Sequence, residues 1–215
     1  MEGLVLYIGN KNYSSWSLRP WIGLTAAGIP FEERLIPFDF AAGNPSFRDI
    51  SPTGRVPVLH HGALRVWESL SIMEYAAELF PDAGLWPEDV GDRAMARSIS
   101  MEMLSGFRAL RNACPMNIRR EKKAIKLSEG VAEDVKRIED IWRDMRLRSG
   151  GPFLFSRFSA ADAMYAPVVS RFDVYDLVSN ENTLEYMSAV QAHPAWIAWR
   201  GAAEAETWVV PEDEV

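Results

Sequence analysis

The sequence predicts an α/β unit followed by an all-helical unit, and three observations carry that expectation. Strand-like and helix-like runs alternate through residues 1–80, a stretch rich in proline and glycine occupies 81–91, and beyond it apolar residues recur only at the helix period. Alternation of this kind calls for a small mixed sheet with helices packed on it. A sustained 3.6-residue period calls for packed helices. The expected division is therefore 1–80, a linker at 81–91, and 92–215.

In the first unit, Leu4 to Ile8 is a short buried strand closed by Gly9-Asn10. Leu18, Trp21, Ile22 and Thr25 fall at i, i+3, i+4 and i+7, one face of a helix. Pro20 is tolerable because it lies in the first turn, and Gly28 with Pro30 marks the stop. Phe31 to Ile36 forms a second strand. Residues 37–53 read as irregular, with turn signals at Asn44-Pro45 and Ser51-Pro52. Val56 to Leu59 and Leu64 to Trp67 make a hairpin about Gly62. Ser69 then caps a helix that Pro81-Asp82 ends. The order is β-α-β-β-β-α.

The second unit is expected to open with one long helix from Arg93 to Cys114, with Ile99, Met103, Phe107, Leu110 and Cys114 on its apolar stripe. Val131 to Leu147 repeats the style until Gly150-Gly151-Pro152 breaks it. Ser159-Ala160-Ala161-Asp162 is a capping box with Asp in place of Glu. It opens a helix through Val174, and His193-Pro194 splits the two shorter helices that follow.

Composition narrows the function. With 23 Lys and Arg against 30 Asp and Glu the net charge is −7, a poor match for nucleic acid, whose phosphates need clustered positive charge. The single cysteine, Cys114, allows no intrachain disulfide, no C-x-x-C pair and no cysteine-rich zinc site. His60, His61 and His193 lack metal-ligand spacing with a carboxylate, so no metal is expected. No window approaches the ~18 to 20 apolar residues of a membrane span. Met1-Glu2-Gly3 runs straight into the first strand without the regions of a signal peptide, which points to the cytoplasm.

Three local features carry chemistry. "N-Y-S-S-W-S-L-R-P-W" at residues 12–21 places three serines at a helix start that needs one cap. Pro57 sits in a strand, where it belongs either on an edge in trans or at a cis bond. A cis bond there would turn the Val56 N–H and C=O outward, ready to pair with an extended peptide. Glu68-Ser69 stands at a helix start, where free N–H groups attract a carboxylate and the acid can accept from an ammonium. Read alone, the pair is more often a plain cap preceded by a solvated acid.

In this order, the hydroxyl cluster, V-P before a hairpin and E-S at the next helix resemble the glutathione transferases, and the resemblance runs over essentially the whole chain. It implies a thioredoxin-like first domain, a glutathione co-substrate, a small electrophile held against the helical domain, and a homodimer. It carries pairing with the cysteinyl backbone onto Val56 and Pro57, capture of the γ-glutamyl end onto Glu68 and Ser69, and contact near the glycine end onto Arg55. Ser14-Ser15-Trp16-Ser17-Leu18-Arg19 is most similar to the zeta-class signature S-S-C-S-x-R, with Trp16 where zeta enzymes carry cysteine. That similarity points to Ser14 as the residue that activates the thiol, with Ser15 the close alternative and Tyr13 a further candidate.

The energies suffice. A free thiol titrates near ~8.5, and lowering this by about two units takes about 2.7 kcal/mol. A hydroxyl hydrogen bond to an anion supplies about 1.5–3 kcal/mol, and a helix N-terminus adds about 0.3–1 kcal/mol. For the electrophile, Met101, Leu104, Arg108, Arg111 and Asn112 are the candidates, the arginines as carboxylate holders or as a solvated basic face. Besides transfer, the resemblance allows a zeta-like cis–trans isomerase of a maleyl-type diacid, or a glutathione-binding scaffold without turnover. Disulfide reduction needs a cysteine beside the sulfur, and Cys114 lies on an apolar stripe elsewhere.

Overall fold

The computed structural model describes residues 3–215; Met1 and Glu2, on which the signal-peptide reading partly falls, lie outside the described residues. The first unit runs β1 (Leu4–Ile8), α1 (Ser15–Ala26), β2 (Glu32–Leu35), a one-turn α2 (Pro45–Arg48), β3 (Val58–His61), β4 (Leu64–Trp67) and α3 (Ser69–Leu79). The sheet order is β2-β1-β3-β4, with β1 parallel to β2 and antiparallel to β3, and β3 antiparallel to β4. This is the thioredoxin-like mixed sheet. Pairing of the hairpin begins at Val58 rather than Val56, because Pro57 has no N–H to give the ladder.

The second unit holds α4 (Val90–Ser105), α5 (Arg108–Ala113), α6 (Glu129–Ser149), α7 (Ala160–Val174), α8 (Glu181–Gln191) and α9 (Pro194–Ala205). The long helix expected from Arg93 to Cys114 is two helices. At the break, Gly106 lies against the Glu102 carbonyl, where a Cβ would stand 2.8 Å from the oxygen. Phe107 follows with φ of 55°, which an α-helix cannot continue through. The capping box forms as read: Asp162 accepts from the Ser159 N–H at 2.9 Å and from the Leu154 N–H at 3.0 Å.

The core explains how the units join. Ser17 through Leu24 of α1 are all buried, because α1 is packed on α3 and the sheet on one side and on α7 on the other. Nearly every residue of α7 is buried in turn, as befits a helix apolar around most of its circumference. No helix among the described residues is long and apolar enough to cross a membrane.

Candidate active site

Ser14 is the N-cap of α1. Its Oγ accepts the Ser17 N–H at 3.4 Å, and its hydroxyl donates to Ser17 Oγ at 2.7 Å. Ser17 Oγ also accepts the Gly9 N–H at 3.1 Å. The cap is thus the end of a short hydrogen-bonded chain leading back to the end of β1. Ser15, half-buried in the first turn, has no side-chain hydrogen bond among the described residues.

The loop between β1 and α1 is held from the far end of the chain. The Glu206 carboxylate accepts the N–H of Lys11 at 2.6 Å and of Asn12 at 3.1 Å, and Trp199 Nε1 donates to the Lys11 carbonyl at 3.0 Å. Asn12 bonds through its side chain to Asn117 Oδ1 and to the Arg119 N–H. Tyr13 is buried, donates to the Glu214 carboxylate and accepts from Arg119. Nothing in the local sequence signals these contacts, since the partners lie about a hundred to two hundred positions away.

Across the cleft, the Val56–Pro57 bond is cis. The Val56 N–H and C=O take no hydrogen bond from the described residues. Ser69 opens α3 and donates to the Trp16 carbonyl at 2.7 Å, tying the starts of α3 and α1 together. Glu68, at φ of 67°, leaves its side chain exposed and outside any cap bond.

These pieces surround two adjoining cavities. One, of about 490 Å³, is lined by Ser14, Ser15, Asn112, Arg171 and Asp213, with Phe38, Phe40 and Phe47 at its aromatic side. The other, of about 220 Å³, is lined by Thr53, Pro57, Glu68 and Ser69. Trp16, Arg55, Val56 and Arg111 line both. Phe38 is set by Gly9, where a Cβ would come 2.6 Å from the ring, and it stacks on Phe40 at 5.0 Å.

Met101 and Leu104 lie apart from the serines, on a separate apolar groove with Leu70 and Tyr75. Arg108 is exposed and lines neither of the two cavities. The break at Gly106-Phe107 is the reason: it puts Met101 and Leu104 on one helix and Arg108, Arg111 and Asn112 on another, so these candidates do not share the single helix expected for 93–114. Sequence reasoning missed Arg171, Asp213 and the three phenylalanines. Arg171 did leave a signal, as a lone arginine in an otherwise apolar helix run.

The electrostatics are unusual. Arg19 is fully buried, donates to the Met164 and Ser15 carbonyls, and leaves Nη2 without a partner. Desolvation, with Arg171 and Arg111 nearby, holds it well below the ordinary arginine range. Its guanidinium lies 4.3 Å from the Trp16 ring centre and that of Arg111 lies 4.7 Å from it. Arg171 is pushed down to about 10 by burial and by Arg111. Burial pushes the Cys114 thiol up to about 11, the opposite of what a nucleophile needs. Among the described residues, no group of three or more His, Cys, Asp or Glu could hold a metal ion.

Fold and cleft define a two-domain protein of thioredoxin-like architecture that presents hydroxyls at the helix start where a redox relative needs cysteine. Family models described as the N-terminal and C-terminal domains of glutathione S-transferase match residues 13–79 and 123–202. The chain belongs to the glutathione S-transferase family. A probable maleylacetoacetate isomerase of Caenorhabditis elegans is 27% identical over 203 residues, covering 88% of this chain and 92% of that protein. The maleylacetoacetate isomerase of Rattus norvegicus is 28% identical over 205 residues, with the same coverages of 88% and 92%. Among solved structures, a Burkholderia glutathione transferase homologue with bound glutathione superposes with a TM-score of 0.71 at 20% identity, covering 96% of this chain and all of that one.

Proposed function

We propose that this transferase is of the serine type, that glutathione lies along the smaller cavity with its sulfur at the mouth of the larger, and that Ser14 donates to the thiolate. The observation that carries the reading is convergence. Ser14, Ser15, Arg55, Val56, Pro57, Glu68 and Ser69, scattered over the first unit, line two cavities that share a wall. Val56 offers an unpaired backbone N–H and C=O to the cysteinyl residue. The start of α3 and Glu68 suit the carboxylate and ammonium of the γ-glutamyl end, and Arg55 suits the glycine carboxylate.

Ser14 is preferred to Ser15 because of the chain behind it. Reversing the Ser14–Ser17 bond leaves Ser17 Oγ still holding the Gly9 N–H while its own hydroxyl donates to Ser14. The Ser14 proton is then free for the sulfur, and each bond in the row polarises the next. Tyr13 is committed to Glu214 and Arg119. In the reaction the thiol proton leaves to solvent and the thiolate forms a C–S bond at the electrophilic carbon. The leaving group departs with the electron pair of the bond it breaks.

The names of the full-length relatives favour a second reading. There the thiolate adds to a double bond of a maleyl-type diacid, rotation follows, and the thiolate is expelled. A homodimer and a cytoplasmic location belong to the proposal as well. Calorimetric titration with glutathione tests the core of the reading. Wild type should bind, and Glu68→Gln should bind about 10- to 100-fold more weakly, the loss of one charge-assisted bond of about 1.5–3 kcal/mol. Absence of binding to the wild type would sink the proposal.

A further inference from the structure

The larger cavity is lined by two unlike sets of side chains. The helical unit contributes Arg171 and Arg111, and the first unit contributes Phe38, Phe40 and Phe47. Arg171 is 4% exposed, a guanidinium taken almost wholly out of water. Its Nε donates to the Cys114 carbonyl at 2.7 Å and Nη1 to the Pro167 carbonyl at 3.3 Å. Nη2 has no partner among the described residues and is left for the cavity the side chain lines. Arg111 is half-buried beside it and donates only a long bond to the Leu104 carbonyl. Neither forms an ion pair within 4.0 Å among the described residues, although Asp213 lines the same cavity. Asp213 acts on Arg171 through the cavity without bonding to it; a buried cation with no bonded carboxylate is expensive, and a planar guanidinium fork is matched by a planar oxyanion.

Resting on the transferase reading, we propose that Arg171 and Arg111 form a carboxylate subsite, and that the second substrate is an electrophile with one carboxylate and an aromatic body. The carboxylate sits at the arginines, the ring packs against Phe38 and Phe40, and the electrophilic carbon between them faces Ser14. Two arginines and three phenylalanines in one lining suit an aryl carboxylate better than a short aliphatic diacid, whose second charge would have to be desolvated without a further cation.

Unreactive probes test the subsite without turnover. Binding of 2-naphthoate, 2-naphthamide and maleate is measured by calorimetry on the full chain without glutathione. The naphthoate should bind at least about tenfold more tightly than either of the others, a preference worth one good charge-assisted contact. Arg111→Gln and Arg171→Gln should each erase most of the naphthoate-over-naphthamide preference, and Asp213→Asn should enlarge it. If Arg171→Gln fails to fold, Arg111→Gln carries the test, since that side chain ties no buried helix. Equal binding of naphthoate and naphthamide overturns the proposal, and tightest binding of maleate replaces it with the diacid. A thiol pKa of bound glutathione that rises in Arg111→Gln, with the naphthoate preference intact, would assign the charge to the sulfur and overturn it too. Turnover of the neutral 1-chloro-2,4-dinitrobenzene with glutathione reports separately on the transferase reading.

Discussion

Replacing Ser14 by alanine should raise the thiol pKa of bound glutathione by about one to two units. The hydroxyl bond to an anion is worth about 1.5–3 kcal/mol, and one pKa unit is about 1.36 kcal/mol. Ser17→Ala removes only the polarising bond behind it. If cooperativity strengthens the Ser14 bond by about 10–30%, the expected rise is a few tenths of a unit. Ser15→Ala should match wild type. Ser14 is also the cap of α1, so its loss costs about 0.5–2 kcal/mol of stability, a fall in Tm of about 1–8 °C for a chain of this size. Ser14→Thr keeps both cap and donor and should restore both quantities. Thiolate absorbance against pH, read on the four variants and wild type, measures the first quantity, and thermal unfolding the second. A raised pKa in Ser15→Ala with Ser14→Ala unchanged would refute the hydrogen-bonded chain as the activating device. No change in either would leave the anion to the helix start and the arginines.

Other expectations follow from the same contacts. Glu206→Ala strips the acceptor from two backbone N–H groups in the β1–α1 loop. At about 1–3 kcal/mol for each unsatisfied donor, a lowered Tm and a raised thiol pKa should appear together; a normal pKa would show that the loop holds its shape without the clamp. Burial pushes Asp162 up to about 6 from 3.8. Its folded-state pKa is raised, so its stabilising contribution is complete below about pH 4 and is lost as pH climbs through 6, about 3 kcal/mol in all. Urea unfolding of wild type and Asp162→Ala across pH 4–7 should show the gap between them shrinking upward, and a constant gap would contradict this. Cys114 should react with a disulfide reagent only on unfolding, because it is buried and its thiol lies at about 11; rapid modification of the native protein would refute its placement.

The strands, most of the helices, the capping box and the V-P and E-S features were legible because each is written in neighbouring residues. Caps, periods and turn signals act over a few positions, and the chemistry of a helix start follows from the residue that begins it. The Gly106-Phe107 break was not legible. The apolar stripe runs through it unbroken, and only the packing of α5 against α6 rewards the left-handed turn at Phe107. With that turn went the placement of Met101, Leu104 and Arg108.

By itself the sequence determined that one of three serines would cap a helix, that Val56 would precede a proline beside a hairpin, and that Glu68 and Ser69 would stand at the start of the next helix. Only the tertiary structure decided that these line one cleft. It also decided that Glu206 and Glu214 reach back to fix the loop before α1, and that Arg171 lines the cavity of the serines without an ion pair within 4.0 Å among the described residues. The physical reason is range. Backbone propensity and capping are local free energies, while the partner of a buried charge is set by whichever distant segment the folded core brings against it.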